Sequence, residues 1–295
     1  MPNKAHRLVI SITIFYALIG CQTQPRKLNT PTPTPNLPDN RPNIILILTD
    51  DLDTYAMPYM PMVKKYLASH GVQMNNYFIN VPQCCPSRTT TLTGLYAHNS
   101  GVWTNGGKNH GGFHYFQKMG LEQKTVAVAL HKSGYRTGLM GKYLNGFPKT
   151  VRKLYIPEGW DEWVVPVVGD PYTNYNYKLN DNGEIKSYAD QPDDYLTDVL
   201  CKRAVEFIER SSVSEDPFFL FLAPYSPHEP TIPAPRHLSL FQDLKNPIVP
   251  SFDEEDVSDK PQFVRHSPRL TPFFIKIMTR YFSCAFACCN RWMRW

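Results

Sequence analysis

Two uninterrupted apolar runs decide most about what this chain can fold into. Residues 44–48 read IILIL and residues 218–223 read FFLFLA. A strand with one face in water alternates apolar and polar side chains. A strand without alternation is buried on both faces, which is the pattern of a parallel sheet covered by helices on each side. The first run is therefore expected as a central strand of such a sheet, the second as another buried strand, and a third strand is expected at 136–140. Helical patterns lie between them. One spans 61–69 and stops before Gly71; one spans 124–133 and is closed by Gly134. A third spans 194–210, where Leu196, Leu200, Ala204, Phe207 and Ile208 share one face. Helices alternating with buried strands predict the α/β class, a mostly parallel sheet flanked by helices. The 295 residues suffice for one large domain of this kind or two ordinary ones. Residues 145–193 are rich in Tyr, Asn and Pro and read as loops bordering a cleft.

The N-terminal residues stand outside that pattern. Lys4 and Arg7 precede an apolar stretch at 8–19. A bilayer span needs about 20 apolar residues, so this stretch reads as an export signal instead. It ends LIGC at 18–21, which resembles a bacterial lipobox. Residues 1–21 are accordingly expected as a lipoprotein signal with Cys21 as the lipidated residue; a plain secretory signal with a chance cysteine is the alternative. One lipidated terminus holds a protein at a membrane surface without spanning it, so the expected location is the bacterial cell envelope, periplasmic or outer surface. Residues 22–42 include TPTPTP. Prolines lack the N–H that helices and sheet ladders need, so this segment is expected as a semi-rigid linker. The formal net charge of +5 suits an anionic partner and is too small to argue for nucleic acid.

The chemistry-bearing residues sit at the ends of these elements. Asp50 and Asp51 follow the first apolar run directly. Ligands of open α/β sheets bind at the carboxyl ends of strands. Two adjacent carboxylates there either hold a cation or belong to a solvated loop or helix cap. Residues 84–94 read CCPSRTTTLTG. Pro86 suits the first turn of a helix and Gly94 its end. Cys84 then lies just upstream of a helix N-terminus, where free N–H groups favour negative charge, and Arg88 adds a cation one turn on. A thiol in such a place is acidic and reactive. Cys84 therefore reads as a nucleophile beside an anion pocket, or the two cysteines as a buried structural pair. The seven cysteines show no disulfide framework. Lys142 and His228, taken alone, read as a surface lysine and a loop histidine.

The string at 84–94 matches every fixed position of C-x-P-S-R-x-x-x-L-T-G, and by it the chain resembles the formylglycine-dependent sulfatases. Other stretches resemble the same family: TDDLD at 49–53, GYRTGLMGKYLN at 134–145 and APYSPHEP at 223–230. The resemblance covers roughly residues 41–282. It is finest to N-acetylglucosamine-6-sulfatases and the related heparan-sulfate sulfatases, through the doubled cysteine, GKYLN at 141–145, PEGW at 157–160, YNYKLNDNG at 175–183 and DYLTDVL at 194–200.

The resemblance implies an alkaline-phosphatase-like fold and a site. Cys84 would be oxidised to formylglycine by a formylglycine-generating system, with Cys85 in the variable position. Asp50, Asp51 and the modified Cys84 would hold calcium, an ion suited to hard oxygen ligands. Lys142 and Arg88 would neutralise the sulfate oxygens. His228 would stand beside the ester and assist the leaving alcohol as an acid. One hydroxyl of the hydrated aldehyde would attack sulfur and the other would expel sulfate, a covalent two-step route. Asn145 falls where other members carry a histidine, and is expected to contact substrate. The substrate implied is 6-sulfated N-acetylglucosamine or a related sulfated glycan.

The chain also departs from the family. Members carry a second ligand pair, Asp-Asn or Asp-His after another strand, and a later sulfate-contacting lysine. Residues 229–295 contain no apolar strand followed by such a pair. Asp181-Asn182 is expected in a loop, and DEED at 253–256 in a polar loop. Residues 271–282 still read as a family helix, but SCAFACCNRWMRW at 283–295 holds three of the seven cysteines and two of the five tryptophans. Without a histidine or a second C-x-x-C, CAFACC makes a poor metal cluster. The expected organisation is a partial catalytic domain at 43–282, incomplete at its C-terminus, and an aberrant tail at 283–295 left by truncation or a frame shift. A catalytically inactive fragment that at most binds sulfated glycan is thus the alternative to an active hydrolase. A phosphatase or phosphodiesterase of the same superfamily is a weaker one, because the intact C-x-P-S-R speaks against it.

Overall fold

The computed structural model describes residues 39–289. The expected signal segment, Cys21, nearly all of the linker and residues 290–295 lie outside the described residues. Among those described, no helix is long and apolar enough to cross a membrane.

The elements run in the order β1 (Ile44–Ile47), α1 (Pro61–Tyr66), α2 (Cys84–Thr93), α3 (Ala97–Ser100), α4 (Gly112–Lys118), α5 (Val126–Lys132), β2 (Arg136–Gly141), β3 (Glu162–Gly169), β4 (Tyr177–Asp181), β5 (Glu184–Ser187), α6 (Leu196–Ser212), β6 (Phe218–Ala223), α7 (Gln262–Arg265) and α8 (Pro272–Cys289). One sheet has the strand order β1-β6-β2-β3-β4-β5. The first four strands pair in parallel, and β4 and β5 extend the sheet antiparallel. A mostly parallel sheet flanked by helices is what the alternation of elements predicts.

The run FFLFLA is the strand buried on both faces. Phe219, Phe221 and Ala223 of β6 pack into one core with Cys85, Leu92, Phe113 and Trp163. Phe218, Leu220 and Leu222 pack into the other with Leu196, Leu200, Ala204 and Phe207 of α6. The run IILIL differs from expectation. β1 lies at the edge of the sheet, and Ile45 and Ile47 are 47% and 41% exposed. Ile44 and Leu46 pack inward. On the opposite face α6 reaches only far enough to form one wall of an apolar groove of about 410 Å³, in which Ile45, Ile47, Met60, Val63 and Ile208 meet. Continuous apolarity records that both faces of a strand are apolar, not which segment lies against them.

Residues 145–193 hold three strands where loops were expected. Pro166 sits inside β3, at a register shift against β4 that lets a residue without an N–H remain in a sheet. β4 and β5 form a hairpin turning on Asn182-Gly183, with φ of 54° and 92°. Asn-Gly is the pair that such a two-residue turn demands. Asp181 is therefore the last residue of β4, not part of a loop, and its buried carboxylate accepts from Lys186 at 2.5 Å and Arg203 at 2.7 Å.

The composition changes at residue 283, but the helix does not break there. α8 runs to Cys289, Ser283 Oγ donates to Leu244 O at 3.0 Å, and Phe286 is 2% exposed, edge-on to Tyr59 at 4.9 Å.

Candidate active site

The carboxyl ends of three adjacent strands converge. From β1 the chain continues to Leu48, whose N donates to Leu222 O at 2.9 Å, and on to Asp50 and Asp51. From β6 it continues to His228, whose N donates to Tyr225 O at 3.0 Å. From β2 it turns at Gly141, with φ of 110°; a Cβ there would lie 2.1 Å from Ala223 O. Only glycine permits that approach. The next residue, Lys142, donates its N to Ala223 O at 2.7 Å, which turns its side chain toward Asp50.

Helix α2 supplies the fourth side. It begins at Cys84 itself, two residues before Pro86, rather than downstream of the cysteine as the proline suggests. N–H groups of the first turn have no partner inside a helix, so a proline at the third position removes nothing. Gln83 is the extended cap residue, and Gly94 closes the helix with φ of 69°.

Charge is concentrated here. Asp50 is 4% exposed; one carboxylate oxygen accepts from Lys142 Nζ at 2.5 Å and the other from Arg88 Nη2 at 3.3 Å. Arg88 Nη1 also donates to Lys142 O at 2.8 Å. Burial pulls the Lys142 ammonium toward neutrality, but Asp50 overcomes it and the pKa is raised. The ammonium lies 5.0 Å from the ring centre of Tyr172 and 5.8 Å from that of Tyr225, within reach of a cation–π attraction. His228 Nδ1 lies 2.7 Å from Glu229 O, and its Nε2 lies 3.4 Å from Asp51 Oδ2.

The two cysteines have opposite surroundings. A hydrogen bond to His228 pulls the half-buried Cys84 thiol below its ordinary value; burial opposes this, Lys142 assists, and Asp50 and Asp51 oppose. The same hydrogen bond pushes His228 up to about 9, against burial and with help from Glu229 O, Asp50 and Asp51. The pair thus tends toward thiolate and imidazolium. Cys85 is fully buried in the core, and burial pushes its thiol up to about 11.

Asp50, Cys84 and His228 present ligand atoms within 4.8 Å of one another. The Cys84 Sγ stands where an aldehyde hydrate oxygen would stand after oxidation. With that oxygen, Asp50 would offer hard donors of the kind a calcium ion takes, an ion that prefers about 6–8 oxygens, whereas Asp51, the other expected ligand, is not in that group. Asp51, with φ of 60° and a side chain 61% exposed, faces solvent beside them.

The structure brings Asp50, Asp51, Cys84, Arg88, Lys142 and His228 together. Asn145 is not bonded to that group among the described residues; its carbonyl accepts from Phe113 N at 2.8 Å, and it lines an adjoining cavity. Sequence reasoning missed Tyr172, Tyr225 and Asn105. Tyr172, 4.5 Å from the His228 ring, lies in the Tyr-rich stretch expected to border a cleft. Asn105 Oδ1 accepts from Cys85 N at 2.7 Å, and no local pattern announces it.

Comparison with known proteins identifies the family. Residues 42–249 match the family model for Sulfatase. An extracellular sulfatase SULF-1 homolog of Drosophila melanogaster is 34% identical over 239 residues, covering 79% of this chain and 21% of that protein. The N-acetylglucosamine-6-sulfatase of Homo sapiens is 33% identical over 218 residues, covering 72% of this chain and 39% of that protein. A solved structure of a protein in complex with its substrate D-glucosamine-2-N,6-O-disulfate is 27% identical, with a TM-score of 0.55 over 71% of this chain and 39% of the other. The chain thus spans between 21% and 39% of the length of these relatives. With a family model matched over most of its length and the signature cysteine lodged among Asp50, Lys142 and His228, the chain belongs to the sulfatase family.

Proposed function

We propose that this chain carries the nucleophile side of a sulfuric ester hydrolase acting on 6-sulfated N-acetylglucosamine or a related sulfated glycan. The observation that carries the reading is Cys84 at the first turn of α2, hydrogen-bonded to His228, with Lys142 and Arg88 held by one buried carboxylate. The relatives named N-acetylglucosamine-6-sulfatase, and the solved complex with a 6-O-sulfated glucosamine, support the substrate class.

Oxidation of Cys84 to formylglycine would supply a hydrated aldehyde, one hydroxyl to attack sulfur and a second to expel sulfate, an internal exit that a thiol lacks. A calcium ion held by Asp50, Asp51 and that residue would offset sulfate charge. The remaining work falls to side chains already in place. Lys142 and Arg88 are buried cations fixed before substrate arrives, and fixed charges in a poorly hydrated site stabilise developing charge without reorganising. His228, held by Glu229 O and Asp51, would in its protonated form give its proton to the departing alcohol oxygen. Tyr172 and Tyr225 cover the Lys142 ammonium and limit its hydration.

The test is co-expression with a formylglycine-generating system, followed by sulfate release from a chromogenic sulfate ester and from N-acetylglucosamine 6-sulfate. Cys84→Ala should release none; hydrolysis by that variant overturns the assignment. A second reading, glycan binding without turnover, draws support from the donor set, in which, among the described residues, Asp50 and Asp51 are the carboxylates acting on Cys84. Binding of the same sugar with no sulfate release would favour it. We also propose export, supported by a relative named as extracellular, and lipid anchoring through Cys21, supported by LIGC at 18–21; fatty-acid labelling that persists in Cys21→Ala would refute the anchor.

A further inference from the structure

The loop after α3 folds back on itself beside the nucleophile. Trp103 N donates to His110 O at 2.7 Å, Thr104 Oγ1 to Gly106 O at 2.7 Å, and Gly112 N to Thr104 O at 3.0 Å. The closure is tight enough that a Cβ on Gly111 would lie 2.0 Å from Gly106 O. The bond from Cys85 N to Asn105 Oδ1 ties this loop to the first turn of α2, one residue from Cys84. On its other side Phe113 N is bonded to Asn145 O, which joins the loop to the stretch after Lys142.

Between those two stretches lies a cavity of about 660 Å³. Lys108, His114 and Lys149 line it, and no carboxylate does. Neither lysine forms an ion pair with a carboxylate among the described residues. The cations of the active site are already engaged, because Lys142 and Arg88 face Asp50 and would face the reacting sulfate. The lysines of the neighbouring cavity have no such anion assigned to them. Like charges converging on a concave surface create a positive potential that draws an anion.

We infer that this cavity is a subsite for a second anionic group of the substrate, a carboxylate or sulfate elsewhere on the glycan, and that Lys108 and Lys149 select for it. The inference rests on the sulfated-glycan reading above. The lysines come from two separate loops, so a group bound between them is fixed relative to Cys84 through Asn105 on one side and Asn145 on the other. A glycan carrying only the 6-sulfate would leave the subsite without a charge partner.

Equilibrium binding to the full chain at low salt tests this with three probes: glucosamine 6-sulfate, glucosamine 2-N,6-O-disulfate, and a 6-sulfated glucosamine joined to a uronic acid. The last two separate a sulfate from a carboxylate as the second group. Lys108→Gln and Lys149→Gln should each weaken at least one doubly anionic probe about 3–5-fold, the upper part of the range of an exposed charge contact. Both should leave glucosamine 6-sulfate within about twofold, and the selective loss should shrink as salt rises. If the variants bind all three probes like the parent, or weaken all three in proportion, the subsite is refuted while the wider reading stands. If the parent binds none of them, the sulfated-glycan reading falls and this inference with it.

Discussion

Asp50→Asn is the sharpest test of how the site is built. The carboxylate is 4% exposed, and its two oxygens hold two different cations, Lys142 and Arg88, whose side chains are each 3% exposed. The amide keeps the shape but leaves two buried positive charges facing each other without a counter-charge. Removing one partner of a buried ion pair costs about 3–5 kcal/mol. For a folded unit of this size about 1 kcal/mol corresponds to about 2–4 °C in melting temperature. The variant should therefore melt about 6–20 °C below the parent, measured by circular dichroism on the unoxidised protein in chelator. Lys142→Met should cost less, because Arg88 still faces Asp50. The double variant should lose less than the sum of the two, by a coupling of about 1–3 kcal/mol, since an amide and a thioether need no counter-charge. Asp50→Asn melting within about 2 °C of the parent, or strict additivity in the double variant, would refute the buried three-residue network.

Other perturbations follow from the same geometry. In the unoxidised protein, iodoacetamide should label Cys84 with a pH midpoint below that of an ordinary thiol and leave Cys85 untouched, and His228→Ala should move the Cys84 midpoint upward; mass spectrometry after pH-stepped labelling reads both. His228 is raised from 6.5 to about 9, so the stability it contributes is full below pH 6.5 and is lost as pH rises through 9. His228→Ala should flatten the fall in melting temperature across that window, and an unchanged slope would contradict the assignment. Gly141→Ala places a Cβ 2.1 Å from Ala223 O at a φ of 110°; it should cost about 2–4 kcal/mol and weaken binding of glucosamine 6-sulfate by displacing Lys142, as denaturation and titration would record. Ile47→Lys, at a residue 41% exposed in the open groove, should change stability by no more than about 0.5 kcal/mol while lowering aggregation measured by light scattering.

Legibility in the sequence followed the range of the forces involved. β6, β2 and α6 were readable because one contiguous pattern of apolar residues determines each, and Leu196, Leu200, Ala204 and Phe207 do line one core. Asp50, Lys142 and His228 were readable as a group only through the resemblance, since each is one polar residue after a strand and nothing local says that three strand ends are neighbours. β3 is not legible because Pro166 speaks against a strand, and the register shift that accommodates it is a property of its pairing with β4. The run IILIL predicts a central strand, and β1 is a strand at the sheet edge. Position in a sheet depends on which strands pair, and IILIL is equally apolar at the centre or the edge.

The doubled cysteine shows the limit most clearly. Two identical side chains in succession carry the same propensity, the same intrinsic acidity and the same distance to Arg88 within one residue. A helix rotates successive residues by about 100°, and α2 packs one side against the core formed by Phe113, Leu92 and Trp163. That rotation alone puts Cys85 inside, its thiol pushed up to about 11 and its backbone N held by Asn105, while Cys84 is left at the open end of the helix against His228. Reactivity is thus assigned not by the residue type but by which side of one turn meets the sheet. Any change that re-registered α2 by a single residue would exchange the two roles and bury the nucleophile.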